Sequence, residues 1–189
     1  MKTVLFIPGF RKSPEDHAIV LKTIQRRGYE VRPVAIQWSG TTIDDWLGQA
    51  QTVYEEYEPR DAILAGHSLG AVTAFSLAAE RGPSALWLFS LSGRFAEDIS
   101  RMTAEKIAFL GPMIIEAFAQ IKFETLAEKI TCDTLLFFGS KERQQHPELV
   151  FRVEEAHHRL GAKSTLIEAE GAGHGINHPS YLRAIAHSI

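Results

Sequence analysis

The chain has 189 residues, of which 45% are hydrophobic, and a net charge of −3 at pH 7. This length and composition are typical of one soluble globular domain with a sizeable core, so we predict a single domain over residues 1–189. The slight negative charge, with basic residues scattered along the chain, argues against nucleic acid as a partner.

Cysteine content and hydropathy limit the cellular setting. The single cysteine, Cys132, excludes an internal disulfide. No window approaches the ~20 consecutive apolar residues of a membrane-spanning helix, and the apolar stretch at the N-terminus is too short for a signal peptide. We therefore expect a cytoplasmic protein with no membrane partner. The oligomeric state is left open.

Short β-type runs alternate with helix-like runs along the chain. The predicted strands cover 3–7, 30–36, 62–65, 85–91, 134–138 and 164–169. The predicted helices cover 14–27, 42–57, 69–81, 147–160 and 179–188. Strands separated by helices of this length pair in parallel through right-handed crossovers. The predicted fold class is therefore α/β, a three-layer α/β/α sandwich with about six mostly parallel strands.

The segment 93–129 departs from this alternation, because it is too long for a simple crossover and has a helical pattern. An apolar stripe at helical spacing runs from Ile107 to Ile121, and Gly111-Pro112 is expected to divide it. Two interpretations stay open. The segment is either a crossover helix with an extra turn packed on the sheet, or a small cap over the carboxyl end of the sheet.

The pentapeptide Gly-His-Ser-Leu-Gly at 66–70 lies between the strand 62–65 and the helix 69–81. A serine in a strained turn between strand and helix is held clear of its neighbours, as a hydroxyl nucleophile requires. The flanking glycines leave room for close approach of the backbone. Because G-x-S-x-G also arises by chance, the prediction of Ser68 as a nucleophile depends on this context and on finding a base.

A base for Ser68 must lie at the same edge of the sheet, in a loop directly after a strand. Of the eight histidines, His174 is so placed, in a glycine-rich loop after the strand 164–169. His146, in the loop after the fifth strand, is the competing candidate. The helical histidines are expected at the surface: His17, His157, His158 and His187.

An acid that orients the histidine should follow the fifth strand. Glu142 stands three residues after Gly139, which ends that strand. A carboxylate here would accept the imidazole N–H, fix the tautomer and stabilise the imidazolium as it forms. The order Ser68, Glu142, His174, each following a strand, favours one assembled site.

Two backbone N–H groups are candidates for holding a developing oxyanion. The Leu69 N–H lies at the start of the helix after Ser68, where the helix dipole is positive. The Phe10 N–H follows the first strand, and Gly9 before it permits a sharp turn.

These motifs together resemble the α/β-hydrolase superfamily over nearly the whole chain. The resemblance rests on Gly9-Phe10, the elbow 66–70, the Gly139-x-x-acid loop and Gly173-His174. The chain is most similar to the small single-domain serine hydrolases of this group that lack the first two strands.

The sequence departs from the family pattern at two positions. Pro8 stands where many members have a histidine, and Glu142 replaces the commoner aspartate. Some lipases of the family take their acid after the fourth strand, so Glu97 and Asp98 remain alternatives to Glu142.

The resemblance implies a serine hydrolase that cleaves a small-molecule carboxylic ester or thioester through an acyl-enzyme and needs no cofactor. The same triad serves acyltransferases, amidases and carbon–carbon hydrolases, and a hydrolase fold can also be a binding protein without turnover. No metal site is predicted, because His174 and His178 lack a third ligand.

Side chains after the carboxyl ends of strands are candidates for substrate binding. They are Trp38, Phe95 and Arg11. Arg11 and Arg94 are either ligands for a substrate carboxylate or ordinary surface arginines.

Overall fold

The computed structural model describes residues 2–189, so Met1 of the predicted domain 1–189 lies outside the described residues. Six strands form one sheet in the order β2-β1-β3-β4-β5-β6. They are β1 (Thr3–Ile7), β2 (Glu30–Pro33), β3 (Ala62–His67), β4 (Ala85–Phe89), β5 (Asp133–Gly139) and β6 (Ser164–Ala169). Every neighbouring pair is parallel. The predicted parallel α/β fold is confirmed.

Helices cover both faces of the sheet, as parallel strands require. They are α1 (Ala18–Arg26), α2 (Ile43–Tyr54), α3 (Leu69–Arg81), α4 (Ala104–Leu110), α5 (Pro112–Phe118), α6 (Phe123–Ala127), α7 (Glu142–Gln145), α8 (Pro147–Leu160) and α9 (Pro179–Ser188). Short 3₁₀ turns cover Pro14–His17, Ala96–Arg101 and Gly161–Lys163. No helix within residues 2–189 is both long enough and apolar enough to cross a bilayer.

The core consists of two apolar clusters, one on each face of the sheet. Val4 and Phe6 of β1 pack on the face that α1 and α9 cover, whereas Leu5 and Ile7 point to the face of α2, α3 and α8. All five residues of β1 are buried. This alternation places the sheet between its helices. Because the strands are parallel, the carboxyl ends of β1, β3, β5 and β6 lie at one edge.

Some element boundaries differ from the prediction. The predicted strand 30–36 ends at Pro33, after which Val34 N–H still donates to Phe6 O at 2.8 Å. The predicted helix 14–27 starts as a 3₁₀ turn, and the predicted strand 85–91 ends at Phe89. These ends depend on strand pairing and local turns, which a hydrophobic pattern does not specify.

The segment 93–129 forms a 3₁₀ turn and the helices α4, α5 and α6. Gly111, with φ of 86°, separates α4 from α5, and Pro112 begins α5. Ile114 and Phe118 of the predicted stripe are buried in the core cluster, whereas Ile107 is exposed. The segment therefore packs against the core through part of its stripe only.

Candidate active site

Ser68 occupies a strained turn between β3 and α3. Its φ of 57° and ψ of −117° lie outside the regions that a non-glycine residue normally adopts. Its N–H donates to Phe89 O of the neighbouring strand at 3.0 Å, which anchors the turn to the sheet. Such strain costs on the order of 1–3 kcal/mol and persists where the surrounding structure enforces it.

The two glycines of the elbow are required by close backbone contacts. A Cβ on Gly66 would lie 2.2 Å from Gly70 O, and a Cβ on Gly70 would lie 2.2 Å from Pro8 O. Real Cβ atoms are not found at such distances. The first strand, the elbow and α3 therefore meet with no room for a side chain at either position.

His174 connects Ser68 to Glu142. Its Nε2 lies 3.1 Å from Ser68 Oγ, and its Nδ1 lies 2.7 Å from Glu142 Oε1. The loop that carries His174 is held on the end of β5, since Lys141 N–H donates to Ala172 O at 2.9 Å. The structure thus brings the three predicted side chains into one hydrogen-bonded chain.

Glu142 is fully buried and accepts hydrogen bonds on both carboxylate oxygens. Its Oε2 accepts from Ser90 Oγ at 2.8 Å and from Gly139 N–H at 2.7 Å. Tyr181 of α9 places its hydroxyl 3.0 Å from the same Ser90 Oγ. Burial raises the pKa of Tyr181 well above its usual value, so this phenol stays protonated. The carboxylate is therefore stabilised in its buried position by donors rather than by water.

Ser90 and Tyr181 were not identified from the sequence. Ser90 has a φ of 52° directly after β4, as Ser68 has after β3. A serine near the end of the predicted apolar strand 85–91 is a weak signal that could have identified Ser90. No local pattern marks Tyr181, because its contact with Ser90 spans 91 residues.

The alternative acids have other partners. Asp98 is buried and accepts from Arg152 Nε at 3.1 Å, in an ion pair that both oxygens share. Glu97 accepts from Phe123 N–H at 3.1 Å. The alternative base, His146, lies with its ring 5.3 Å from the ring of His174. It is His174 that is hydrogen-bonded to Ser68.

The Phe10 and Leu69 N–H groups are available to a ligand. Phe10, Leu69 and Ser68 line one cavity of about 110 Å³. Within residues 2–189, neither N–H has a hydrogen-bond partner. Gly9 is tightly placed as well, because a Cβ there would lie 3.0 Å from His67 Nδ1.

Two buried histidines support the loops of the site, and one corrects the sequence interpretation. His17, expected at the surface, is buried, and its Nε2 accepts from Gly9 N–H at 3.4 Å. His67 Nε2 lies 3.0 Å from His174 O, and because a carbonyl can only accept, this nitrogen carries the proton. Burial lowers the pKa of His17 to about 4 and that of His67 well below its usual value. Both rings are therefore neutral near pH 7.

The position of Phe95 corrects the prediction that this residue binds substrate. Its side chain is fully buried and packs against Phe75 and Phe123, with ring centroids 5.9 and 5.2 Å away. The chain after β4 turns inward at this point, so Phe95 belongs to the core between α3 and α6.

Trp38 and Arg11 line a second cavity, of about 240 Å³, beside the one that contains Ser68. Trp38 is nearly buried, and its indole N–H donates to Lys12 O at 3.1 Å. The exposed Arg11 places its guanidinium 5.0 Å from the rings of Phe10 and Phe109. The two cavities share Phe10 and Leu110 in their walls.

Comparison with known proteins supports the fold. A family profile described as "Serine hydrolase" matches residues 4–88. Est1E from Butyrivibrio proteoclasticus is similar with a TM-score of 0.77 and 19% identity, over 98% of this chain and 86% of that one. A bromoperoxidase from Bacillus anthracis has a TM-score of 0.75 and 15% identity, over 99% and 90% of the two chains. The esterase domain of a Rhodothermus marinus protein has a TM-score of 0.71 and 16% identity, over 98% and 84%.

A search of curated proteins found no sequence match. The solved structures confirm the predicted α/β-hydrolase fold. The family profile, over residues 4–88, supports a serine-hydrolase function in general.

Proposed function

We propose that this member of the α/β-hydrolase superfamily is a serine esterase that cleaves a carboxylic ester or thioester through an acyl-enzyme. Ser68 is the nucleophile, His174 the general base and Glu142 the acid that orients it. The observation that carries the proposal is the hydrogen-bonded chain from Ser68 Oγ through both nitrogens of His174 to Glu142 Oε1. A serine hydroxyl needs such a base to become nucleophilic at neutral pH.

In the first half-reaction, Ser68 Oγ attacks the carbonyl carbon while His174 Nε2 takes the hydroxyl proton. The carbonyl oxygen becomes negative and accepts from the Phe10 and Leu69 N–H groups, which have no other partner within residues 2–189. His174 then gives the proton to the departing alcohol or thiol, and the ester bond to Ser68 remains.

In the second half-reaction, water attacks the acyl-enzyme. His174 takes a proton from that water, a second tetrahedral oxyanion forms, and its collapse releases the carboxylic acid. His174 returns the proton to Ser68 Oγ. Throughout, the fully buried Glu142 accepts a hydrogen bond from the Nδ1–H of His174, which keeps the proton on Nδ1 and leaves Nε2 free to act as base.

Labelling with a fluorophosphonate probe tests the nucleophile, with Ser68→Ala as the matched variant. The wild type should be labelled and the variant should not. The same two proteins should be assayed on a panel of nitrophenyl esters and acyl thioesters, with free acid as the measured product so that hydrolysis is distinguished from acyl transfer. Ser68→Ala should lower kcat by roughly 10³–10⁶ with little change in Tm.

Two results would overturn the proposal. Full esterase activity in Ser68→Ala would show that another residue is the nucleophile. A wild type that is neither labelled nor active on any of the esters and thioesters would indicate a binding protein.

A further inference from the structure

The cavity at Ser68 has an apolar side and a cationic side. Its charged lining residues are Arg94 and Lys106, and no carboxylate of residues 2–189 lines it. The apolar lining comes from Phe10, Leu69, Phe109 and Leu110. Two positive charges in the wall of a small cavity around a nucleophile create a positive potential for anything bound there.

The two cations differ in how they are paired. Lys106 Nζ forms an ion pair with Glu148 Oε1. The other acid near Arg94 is Asp98, and it is already engaged by Arg152. Within residues 2–189, the Arg94 guanidinium forms no ion pair.

Arg94 uses few of its hydrogen-bond donors. Its Nη1 donates to Gly93 O at 2.7 Å, and this is its one side-chain hydrogen bond within the described chain. A guanidinium has five N–H donors in a planar fork that fits carboxylate and phosphate oxygens. Most of that fork is therefore free to bind a ligand.

Arg94 is also partly removed from water and held in place. Its side chain is half-buried, and burial lowers its pKa, which Glu148 and Asp98 offset only in part. The backbone before it is tightly packed, because a Cβ on Gly93 would lie 3.1 Å from Glu148 O. A partly desolvated cation whose guanidinium forms no ion pair is stabilised when an anion binds beside it.

We propose that Arg94 binds an anionic group of the substrate, so that the preferred substrates are esters or thioesters with a carboxylate or phosphate close to the scissile bond. This inference rests on the proposed esterase function. The cavity of about 110 Å³ has space for a short anionic group, whereas an extended apolar chain would have to pass Phe10 and Leu110 into the neighbouring cavity.

The test compares anionic and neutral substrates as a ratio of kcat/KM. One arm places the charge on the acyl side, with para-nitrophenyl hemisuccinate against para-nitrophenyl butyrate. A second arm places it on the leaving group, with para-acetoxybenzoate and para-acetoxyphenyl phosphate against methyl para-acetoxybenzoate. The arms distinguish acyl from leaving-group recognition, and carboxylate from phosphate.

We expect the wild type to have a kcat/KM about tenfold or more higher for the anionic than for the neutral substrate in at least one arm. Arg94→Gln should lower this ratio of kcat/KM values by roughly 10- to 100-fold, because it removes a charge-assisted hydrogen bond. Arg94→Lys, which keeps the charge but not the fork, should give an intermediate ratio. General damage to the site lowers both rates and leaves the ratio unchanged.

Arg101→Gln is the matched control. Arg101 is an exposed arginine of the same segment whose guanidinium lies 4.4 Å from the ring of Phe151, and it does not line the Ser68 cavity. The ratio should be unchanged in this variant.

The inference would be overturned if the wild type hydrolysed neutral esters with the same kcat/KM as anionic ones. It would also be overturned if the ratio of anionic to neutral kcat/KM were unchanged in both Arg94 variants. In either case the proposed esterase function would stand. A wild type with no activity on any ester would overturn both.

Discussion

Replacing Glu142 with glutamine should place the proton of His174 on the wrong nitrogen. Glu142 Oε2 accepts from the Gly139 N–H, a backbone donor that cannot be reversed, and from Ser90 Oγ. In Glu142→Gln the amide oxygen must therefore occupy the Oε2 position, and the amide NH₂ faces His174 Nδ1. That nitrogen then accepts, so the ring proton moves to Nε2, which faces Ser68 Oγ and can no longer take its proton.

The size of the effect follows from the contacts that change. The partly buried His174–Glu142 contact of 2.7 Å loses its negative charge, and a charge-assisted hydrogen bond is worth about 1.5–3 kcal/mol. The tautomer must also be reversed before each attack on the substrate. Each 1.4 kcal/mol of transition-state stabilisation corresponds to roughly a tenfold change in rate. The equivalent change in another triad lowers kcat by about 10⁴-fold. In Glu142→Gln, kcat should therefore fall by roughly 10²- to 10⁴-fold.

The assay is kcat on a nitrophenyl ester, measured together with Tm. Two of the three hydrogen bonds of Glu142 persist in glutamine, so Tm should change little while activity falls. Glu154→Gln is the control, because Glu154 is exposed and pairs with Arg143 at 2.7 Å rather than with a residue of the Ser68–His174–Glu142 chain. If Glu142→Gln left kcat nearly unchanged while Asp98→Asn abolished activity without changing Tm, the assignment of Glu142 as the acid would be refuted.

Three further predictions concern the elbow, acid stability and the base. Gly70→Ala would place a Cβ 2.2 Å from a backbone carbonyl oxygen, and it should lower the free energy of unfolding, measured in urea, by about 3 kcal/mol or more. The control Gly48→Ala, whose Cβ would have nothing within 4 Å, should raise that free energy by up to ~1 kcal/mol. Equal effects of the two substitutions would contradict the close contact at Gly70. The folded-state pKa of His17, about 4, lies below the usual histidine value of about 6.5, so the unfolded chain binds the proton more readily between these values. Stability should therefore fall by up to about 3 kcal/mol as pH falls from 6.5 to 4, and His17→Gln should reduce this pH slope; an unchanged slope would show that His17 is not the cause. His174→Ala should abolish most of the activity on nitrophenyl esters, and His146→Ala should keep it; the reverse result would make His146 the base.

Much of the fold could be predicted because local signals and the hydrophobic pattern agree. The helices 69–81, 147–160 and 179–188 have the predicted bounds, since proline begins two of them and Gly82, with φ of 59°, ends the first. Strand ends were less predictable. They depend on which residues find a partner on the neighbouring strand, as β3 does up to His67 opposite Phe89.

The candidate site was predictable where topology alone places a residue. Ser68, Glu142 and His174 each follow a strand of a parallel sheet, and the carboxyl ends of such strands meet at one edge. Their proximity is visible in the structure, and their catalytic roles stay a prediction. Phe95 and His17 were placed wrongly, because in both cases burial depends on contacts with distant elements: Phe95 with α3 and α6, His17 with the ends of β1 and β3.

Backbone strain within residues 2–189 is concentrated around the site. The non-glycine residues with positive φ are Arg11, Ser68 and Ser90, and each follows a strand at the same edge of the sheet. The strain at the two serines is offset by bonds to the neighbouring strands, since Ser68 N–H donates to Phe89 O at 3.0 Å and Ser90 N–H to Phe137 O at 2.7 Å.

These bonds extend the sheet ladder by one residue at each serine while the positive φ turns the chain away from the strand. Ser68 Oγ thereby lies beside His174, and Ser90 Oγ donates to the carboxylate behind it. A strained conformation persists only where the surrounding structure enforces it. In this fold, the ends of β3 and β4 enforce the strained conformation at Ser68 and Ser90. Ser68 is one end of the Ser68–His174–Glu142 chain, and Ser90 binds the carboxylate at the other end.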